Sequence, residues 1–359
     1  MAKPATNLAL RKIYVWLDNP ARFMSIKKIS LIAIAIIILG SIAGFAYLQT
    51  PSETRKEGGY PLKIIDDLGR TVAIGEKPTR IVSLVPSAAE IAYAAGAGNL
   101  LVGVDQFSDY PIELSQRVKS GNVTNIGSPF NPDLDKVISL NPSIILINGP
   151  SQFNAKPTQR LSELGYTIVG LNAQNISGVF HDIEIIGKVT GNSEQASKFV
   201  SSLRDRVSKI ETGVKGSTKV RVYVENSKDP LFSVGPGSIQ DELINKAGGI
   251  NVFSDLPQRS GQVSPEAVIA KNPEVIVLFH RLDNSTKLVK IRPGWNVIDA
   301  VMKDRVHYIS NEEEMAAYGA PGPRIVDGLE KIAALIHPEI FKGGSKNPNI
   351  VLLLRPTEI

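Results

Sequence analysis

The 359-residue chain contains no cysteine. That excludes disulfides, thiolate nucleophiles, iron–sulfur clusters and attachment through a lipidated cysteine. Histidine is scarce too: His181, His280, His307 and His337 are the full set and show no paired spacing. A free zinc or iron ion wants three or four convergent His, Asp or Glu ligands, so no resident metal or cofactor is expected. The Gly-x-Ser-x-Gly elbow of serine hydrolases is missing, and so is the Gly-x-x-x-x-Gly-Lys phosphate loop. Gly96 and Gly98 begin a dinucleotide-like pattern, but Leu101 stands where its last glycine belongs. A basic surplus is also lacking over most of the chain. Residues 1–28 hold six basic side chains and one acid, a net +5 that equals the charge of the whole chain. The remaining residues sum to zero and offer nothing to neutralise phosphates, so nucleic acid is not a partner.

One long apolar run is present. Ile29 to Leu48 spans twenty residues without a charge, preceded by Arg22, Lys27 and Lys28. That length crosses a bilayer as a helix, and the flanking charges keep residues 1–28 in the cytoplasm and export the rest. The run reads as a transmembrane anchor. Gly44-Phe45-Ala46 carries small residues at a spacing that signal peptidases use, so a cleaved leader is the alternative.

Beyond the run, the chain says the same thing twice. Asp135 stands six residues before Asn141-Pro142 and an apolar stretch, Ser143 to Ile147; Glu266 stands six residues before Asn272-Pro273 and Glu274 to Leu278. Each copy reads as a short helix, a proline stop with an extended residue before it, then a buried strand. A second echo precedes the first: Phe107-Ser108-Asp109-Tyr110-Pro111 and Phe253-Ser254-Asp255-Leu256-Pro257. Two similar halves facing each other make a cleft, and clefts bind ligands.

The pattern predicts a tether over 49–61, an α/β lobe over 62–173, bridging helices over 174–215, a second α/β lobe over 216–341 and a tail over 342–359. The first lobe opens with a hairpin, Leu62 to Val72, turning at Asp67 to Gly69. Arg80 to Pro86 reads as a buried strand, with Ser87 as a helix N-cap and Glu90 completing a capping box. Ala196, Phe199, Val200, Leu203, Val207 and Ile210 recur at helical spacing after Asn192 as a cap, making the long bridge between lobes. Alternating strands and helices in both halves imply an α/β fold: two Rossmann-like lobes with mostly parallel sheets, joined by a long α-helix. Ligands gather outside the carboxyl ends of such strands. The residues just past the expected strand ends are Ser87, Tyr110, Asn148, Phe153, Phe232, His280, Arg281, Tyr318 and Arg324. Their aromatic rings suit flat macrocycles or catecholates, and their arginines suit carboxylate or hydroxamate oxygens.

Arg80 to Leu84, Glu90 and Ser108 to Pro111 resemble the opening of a substrate-binding protein of an iron-chelate or vitamin B12 ABC importer. Pro132 to Asp135, Asn141-Pro142, Gly248 to Phe253, Pro293-Gly294-Trp295 and Pro323-Arg324 extend the resemblance over about 62–340. It implies a monomeric, extracytoplasmic receptor that delivers a metal chelate to a permease, with a separate subunit hydrolysing ATP. It also implies that one acid on each lobe, here Asp135 and Glu266, docks onto permease arginines. The family more often has glutamate at the first position, so Asp135 makes a shorter contact. B12 binders of the family line their cleft with tryptophan, whereas Trp295 belongs to a motif commoner in iron-chelate binders; the expected ligand is therefore a siderophore or haem-type iron chelate, with a corrinoid as the alternative. The rival class is a chelatase-like enzyme, which needs a histidine with acidic partners in the cleft. His280 has no such acid beside it in the sequence, so a non-enzymatic role is expected.

Overall fold

The structure, a computed structural model, describes residues 59–149, 155–279, 285–309 and 319–341. The apolar run 29–48 and the tail 342–359 lie outside them. Among the described residues no helix is long and apolar enough to cross a membrane.

The first half opens on the expected hairpin, Leu62–Ile65 (β1) against Thr71–Ile74 (β2). Asp66 builds its turn: one carboxylate oxygen accepts from the N–H groups of Leu68 and Arg70, and the other takes the Arg70 guanidinium at 2.6 Å. Ile81–Ser83 (β3) is wholly buried and runs into Pro86–Ala94 (α1). The capping box expected of Ser87 and Glu90 does not form. Pro86, with its fixed φ and missing N–H, takes an opening helical position, so the cap falls on Val85 and Ser87 is buried inside the first turn.

Leu101–Val104 (β4), Ile112–Lys119 (α2), Thr124–Asn125 (β5), the small hairpin Gly127–Ser128 (β6) and Asn131–Pro132 (β7), Leu134–Ser139 (α3), Ile144–Asn148 (β8), Ala155–Glu163 (α4) and Ile168–Leu171 (β9) complete the half. Its main sheet is parallel throughout, in the order β5-β4-β3-β8-β9.

Two helices then cross over, Ile176–Thr190 (α5) and Ser193–Gly213 (α6). The second is the long helix read from the apolar spacing, and its Ala196, Val200, Leu203, Val207 and Ile210 are all buried. Each fully buried Val, Leu or Ile on that stripe contributes about 1.5–3 kcal/mol. Asn192 occupies the cap position but does not cap; its amide donates instead to the Gly96 carbonyl at 3.0 Å.

The second half contains Val220–Lys228 (β10), Leu231–Val234 (β11), Ile239–Lys246 (α7), Gly249–Asn251 (β12), Ser260–Gln262 (β13), Pro265–Lys271 (α8), Val275–Leu278 (β14), Ser285–Lys290 (α9), Asp299–Met302 (α10), Val306–Tyr308 (β15), Ile325–Ile336 (α11) and Pro338–Phe341 (α12). Strands β12, β10, β14 and β15 are parallel neighbours in that order, repeating β4, β3, β8 and β9 of the first half. Two antiparallel strands, β11 and β13, are added on the far part of β10. The internal repeat is thus a repeat of topology.

The repeated Asn-Pro stop works differently from expectation. Asn141 and Asn272 have φ of 44° and 42°, left-handed rather than extended. Asparagine tolerates that region, and the reversal satisfies the last helix carbonyls: the Asn272 N–H reaches Val268 and Ile269. One face of both sheets shares a continuous apolar core through α1, α5, α6 and α11, holding Ile81, Ile183, Leu203, Val222, Val277 and Leu329. The opposite faces have separate cores, one around Val137, Ile145 and Leu161, the other around Tyr223, Phe253 and Trp295.

Candidate functional site: the seam between the lobes

Parallel strands bring their carboxyl ends to one edge of each sheet, and three contacts there tie the first half and the start of the bridge to the second half. Glu90 of α1 meets Arg324 at the start of α11. Gln174, just past β9, accepts from Arg259 in the loop between β12 and β13. The Ile176 N–H at the start of α5 donates to Glu242 of α7 at 2.8 Å. The carboxyl edges therefore face a common seam.

Of the residues expected there, Ser87, Tyr110 and Arg324 come together. Ser87 is buried, and the backbone of Gly322 passes close to it and to Glu90. Arg324 is not open to the cleft. Its Nη2 and Nε donate to the two Glu90 oxygens at 2.6 and 3.0 Å, and its guanidinium lies 4.3 Å from the centre of the half-buried Tyr110 ring. Burial pushes the Glu90 carboxyl up, against the pull of Arg324. Asn148 ends β8 half-buried, its side-chain oxygen taken by the Gly149 N–H at 2.7 Å. Phe232 lies on β11, half-buried and opposite Gln262. Phe153, His280, Arg281 and Tyr318 fall outside the described residues.

In the loop after β4 sequence reading took Tyr110 but missed Asp105 and Phe107. There Asp105 is buried; its carboxylate accepts from the Phe107 N–H at 2.8 Å and the Ser108 hydroxyl at 2.5 Å, and burial pushes its pKa up to about 6. The repeat supplies a comparison. Asn251 holds the Phe253 N–H in the same way, at 3.0 Å. Yet Phe253 is 4% exposed in the core while Phe107 is 51% exposed at the strand's carboxyl end. The sequence carries no signal for this difference: both echoes begin Phe-Ser-Asp, and only the fold separates the exposed Phe107 from the core Phe253. Phe130, after β6, is exposed as well.

The Pro293-Gly294-Trp295 motif does not reach the cleft. Trp295 is fully buried, edge-on to Tyr223, and carries the Arg292 guanidinium 4.5 Å above its ring. Arg292 in turn forms a forked pair with the buried Glu225 at 2.6 and 2.8 Å. Among the described residues no three His, Asp or Glu side chains are grouped to hold a metal ion.

Asp135 and Glu266 occupy matching places. Each stands exposed in the first turn of a helix, α3 or α8, that begins near the carboxyl edge of its sheet and runs back to feed the next strand. Asp133 caps the first helix and Ser264 the second, each bonded to the N–H three residues on. Neither Asp135 nor Glu266 has an ion-pair partner among the described residues.

Twin parallel half-sheets, a helical bridge and an edge-to-edge seam define a two-lobed binding protein of α/β type. Residues 81–313 match the periplasmic binding protein family, and the chain belongs to that family. It is 31% identical over 317 residues to the uncharacterized ABC transporter substrate-binding lipoprotein YvrC of Bacillus subtilis, covering 86% of this chain and 96% of that one. It is 28% identical over 259 residues to a vitamin B12-binding protein of Vibrio cholerae, covering 72% and 88%. A solved structure, titled as a possible iron-binding, periplasmic solute-binding protein of Staphylococcus epidermidis, superposes with a TM-score of 0.65 at 28% identity, covering 73% of this chain and all of that one. These relatives are solute-binding proteins, not enzymes.

Proposed function

We propose that the chain is the extracytoplasmic solute receptor of an ABC importer and that its seam takes a bulky metal chelate, a corrinoid before an anionic ferric chelate. The observation that carries the role is the duplicated parallel sheet, whose two carboxyl edges meet across one seam. The named relatives support the corrinoid class, and so does the fate of two residues. Trp295, which spoke for iron chelates, is core; Arg324, which would have met an anionic chelate, is neutralised by Glu90. Phe107, Phe130, Phe232 and Tyr110 then offer apolar faces to a macrocycle, with Asn148 and Ser87 nearby. A second reading, a ferric chelate, is favoured by the similarity to the possible iron-binding protein of Staphylococcus epidermidis and by Arg281. Permease and ATPase are separate partners, met through Asp135 and Glu266. With no cysteine to lipidate, residues 29–48 tether the receptor, which acts as a monomer.

Titration of the full chain with cyanocobalamin, haemin and ferric hydroxamates, followed by intrinsic fluorescence quenching, tests the assignment. Cyanocobalamin is expected to saturate the protein at micromolar or lower concentration and to be displaced by other corrinoids. Saturation by a ferric hydroxamate alone would transfer the assignment to iron chelates.

A further inference from the structure

We infer that the base of the molecule, the edge where its parallel strands begin, is a face that lies on an anionic lipid surface with the seam turned away from it. The inference goes beyond the receptor reading and is independent of the cargo. It starts from a sorting of charge. Helices α2, α3, α7 and α8 each run back from the seam side to the start of the next parallel strand, so their first turns lie toward the seam and their last turns at the base. The first turns hold Glu113, Asp135, Asp241, Glu242 and Glu266, while Lys119, Lys246 and Lys271 stand in last turns. Each sign suits its end of the helix dipole. The zero net charge of the chain beyond residue 28 hides this polarity.

Five exposed lysines at the base have no ion-pair partner among the described residues. Lys119 ends α2, Lys188 lies in the last turn of α5, Lys77 precedes β3, and Lys215 and Lys219 stand between α6 and β10. Lys77 and the end of α5 lie side by side, since a Cβ added at Gly191 would be 3.2 Å from the Lys77 Nζ. Lys246 and Lys271 are paired, with Glu211 and Asp255. The acids Glu274, Asp299 and Asp304 are held in ion pairs as well, and Glu76 is exposed beside Lys77. Aliphatic side chains are exposed on the same edge: Leu164 before β9, Ile250 on β12 and Met302 at the end of α10. Lysines with exposed aliphatics suit a headgroup layer, which takes the ammonium groups on its phosphates and the alkyl groups at its acyl boundary. Nucleic acid would use the lysines and leave the aliphatics wet; a second copy would set like charge against like. The covalent path agrees. Tyr60, where the compact body begins, is held at the base by its hydroxyl, which donates to the Val189 carbonyl in the last turn of α5 at 2.7 Å. A tether entering there draws the base to the bilayer and leaves the seam open to arriving solute.

Because the chain has no cysteine, single labels can be placed freely. The full chain is reconstituted in vesicles of phosphatidylcholine alone or mixed with phosphatidylglycerol. It carries a nitrobenzoxadiazole label at Met302→Cys on the base or at Gln262→Cys toward the seam, both exposed. Quenching by headgroup-spin-labelled lipid reads contact. The base label should be quenched at least threefold more on the anionic vesicles than on the neutral ones, and the seam label on neither. Each lysine near such a surface strengthens partition about fivefold. Glutamine at positions 77, 119, 188, 215 and 219 together should therefore return the base label to its neutral-vesicle level, and raised salt should do the same to the parent. Equal quenching of the two labels, or base quenching indifferent to lipid charge and salt, overturns the inference. So does shielding of the base label that grows with protein density on neutral vesicles, which would make the face an interface between copies. Base quenching on added anionic vesicles by a chain that leaves neutral ones supports the inference and refutes the tether instead.

Discussion

Asp182 is an acid kept protonated by its place in the fold. It lies on α5, 1% exposed, facing the Asp67 carboxylate and the backbone of Ala173, and burial pushes its pKa up to about 9. Burial and the neighbouring Asp67 carboxylate both favour the protonated form, which spares the hairpin turn and the bridging helix a repulsion between two acids. The unfolded chain surrenders this proton near the ordinary aspartate value of about 4, while the folded chain keeps it to about 9. Between those values the unfolded state binds fewer protons, so stability declines as pH rises across that window. Asp182→Asn keeps a neutral polar group beside Asp67 and removes the titration. It should leave melting at pH 4 nearly unchanged, raise Tm by several degrees at pH 8 and flatten the decline. Calorimetry from pH 4 to 9 checks this, and a variant melting below the parent at pH 8 would show that Asp182 is charged in the folded protein. Nothing in the sequence near Asp182 announces this role, because Asp67 meets it only after eight strands and four helices have been laid down.

The helix–Asn-Pro–strand unit shows which features were legible and why. Its signals are local: an acid in the first turn, a proline stop, an apolar strand directly after. Two copies in order pointed to duplicated α/β lobes, and the apolar spacing from Ala196 to Ile210 pointed to the long α6 between them. The backbone at Asn141 and Asn272 was misread because a residue before proline ordinarily leans extended, whereas here the need to satisfy helix carbonyls wins and asparagine bears the left-handed turn. The cap readings at Ser87 and Asn192 failed because a competing group took over: the adjacent Pro86 moved the cap to Val85, and the distant Gly96 carbonyl drew the Asn192 amide. Least legible was Arg324, whose partner lies far away in the chain. Asn272 offers the sharper test of the unit, because its side-chain oxygen also accepts from the Asp299 N–H at 2.9 Å. Asn272→Ala loses both the tolerance for positive φ and that bond, and should cost about 1–3 kcal/mol. Asn272→Gly restores only the backbone freedom and should recover roughly half of the loss. Urea unfolding of the three proteins measures both steps; equal stabilities for alanine and asparagine would mean that the turn is unstrained.

At the scale of the molecule, a receptor must present its cargo and be recognised while doing so. The repeat answers both needs with one construction. Because α3 and α8 both start near the carboxyl edge of their sheets, the repeat of topology places Asp135 and Glu266 in matching first turns, one on each lobe. Each sits where a helix dipole favours an acid, so exposure costs the fold nothing. Two like charges at the ends of a rigid body register a partner in both position and rotation, which a single charge cannot do; such pairs act on encounter and orientation more than on depth of binding. Reversal of both, Asp135→Arg with Glu266→Arg, should therefore reduce uptake by the reconstituted importer about a hundredfold and leave cyanocobalamin affinity within about twofold. Either reversal alone should give an intermediate loss that shrinks as salt is raised, because the parent's own advantage is screened. Radiolabelled uptake in proteoliposomes, measured beside equilibrium titration of the free receptor, separates the two effects. A large loss of ligand affinity in the double variant would move these acids from the rim into the binding site; unchanged uptake would leave them as ordinary first-turn acids of two solvated helices.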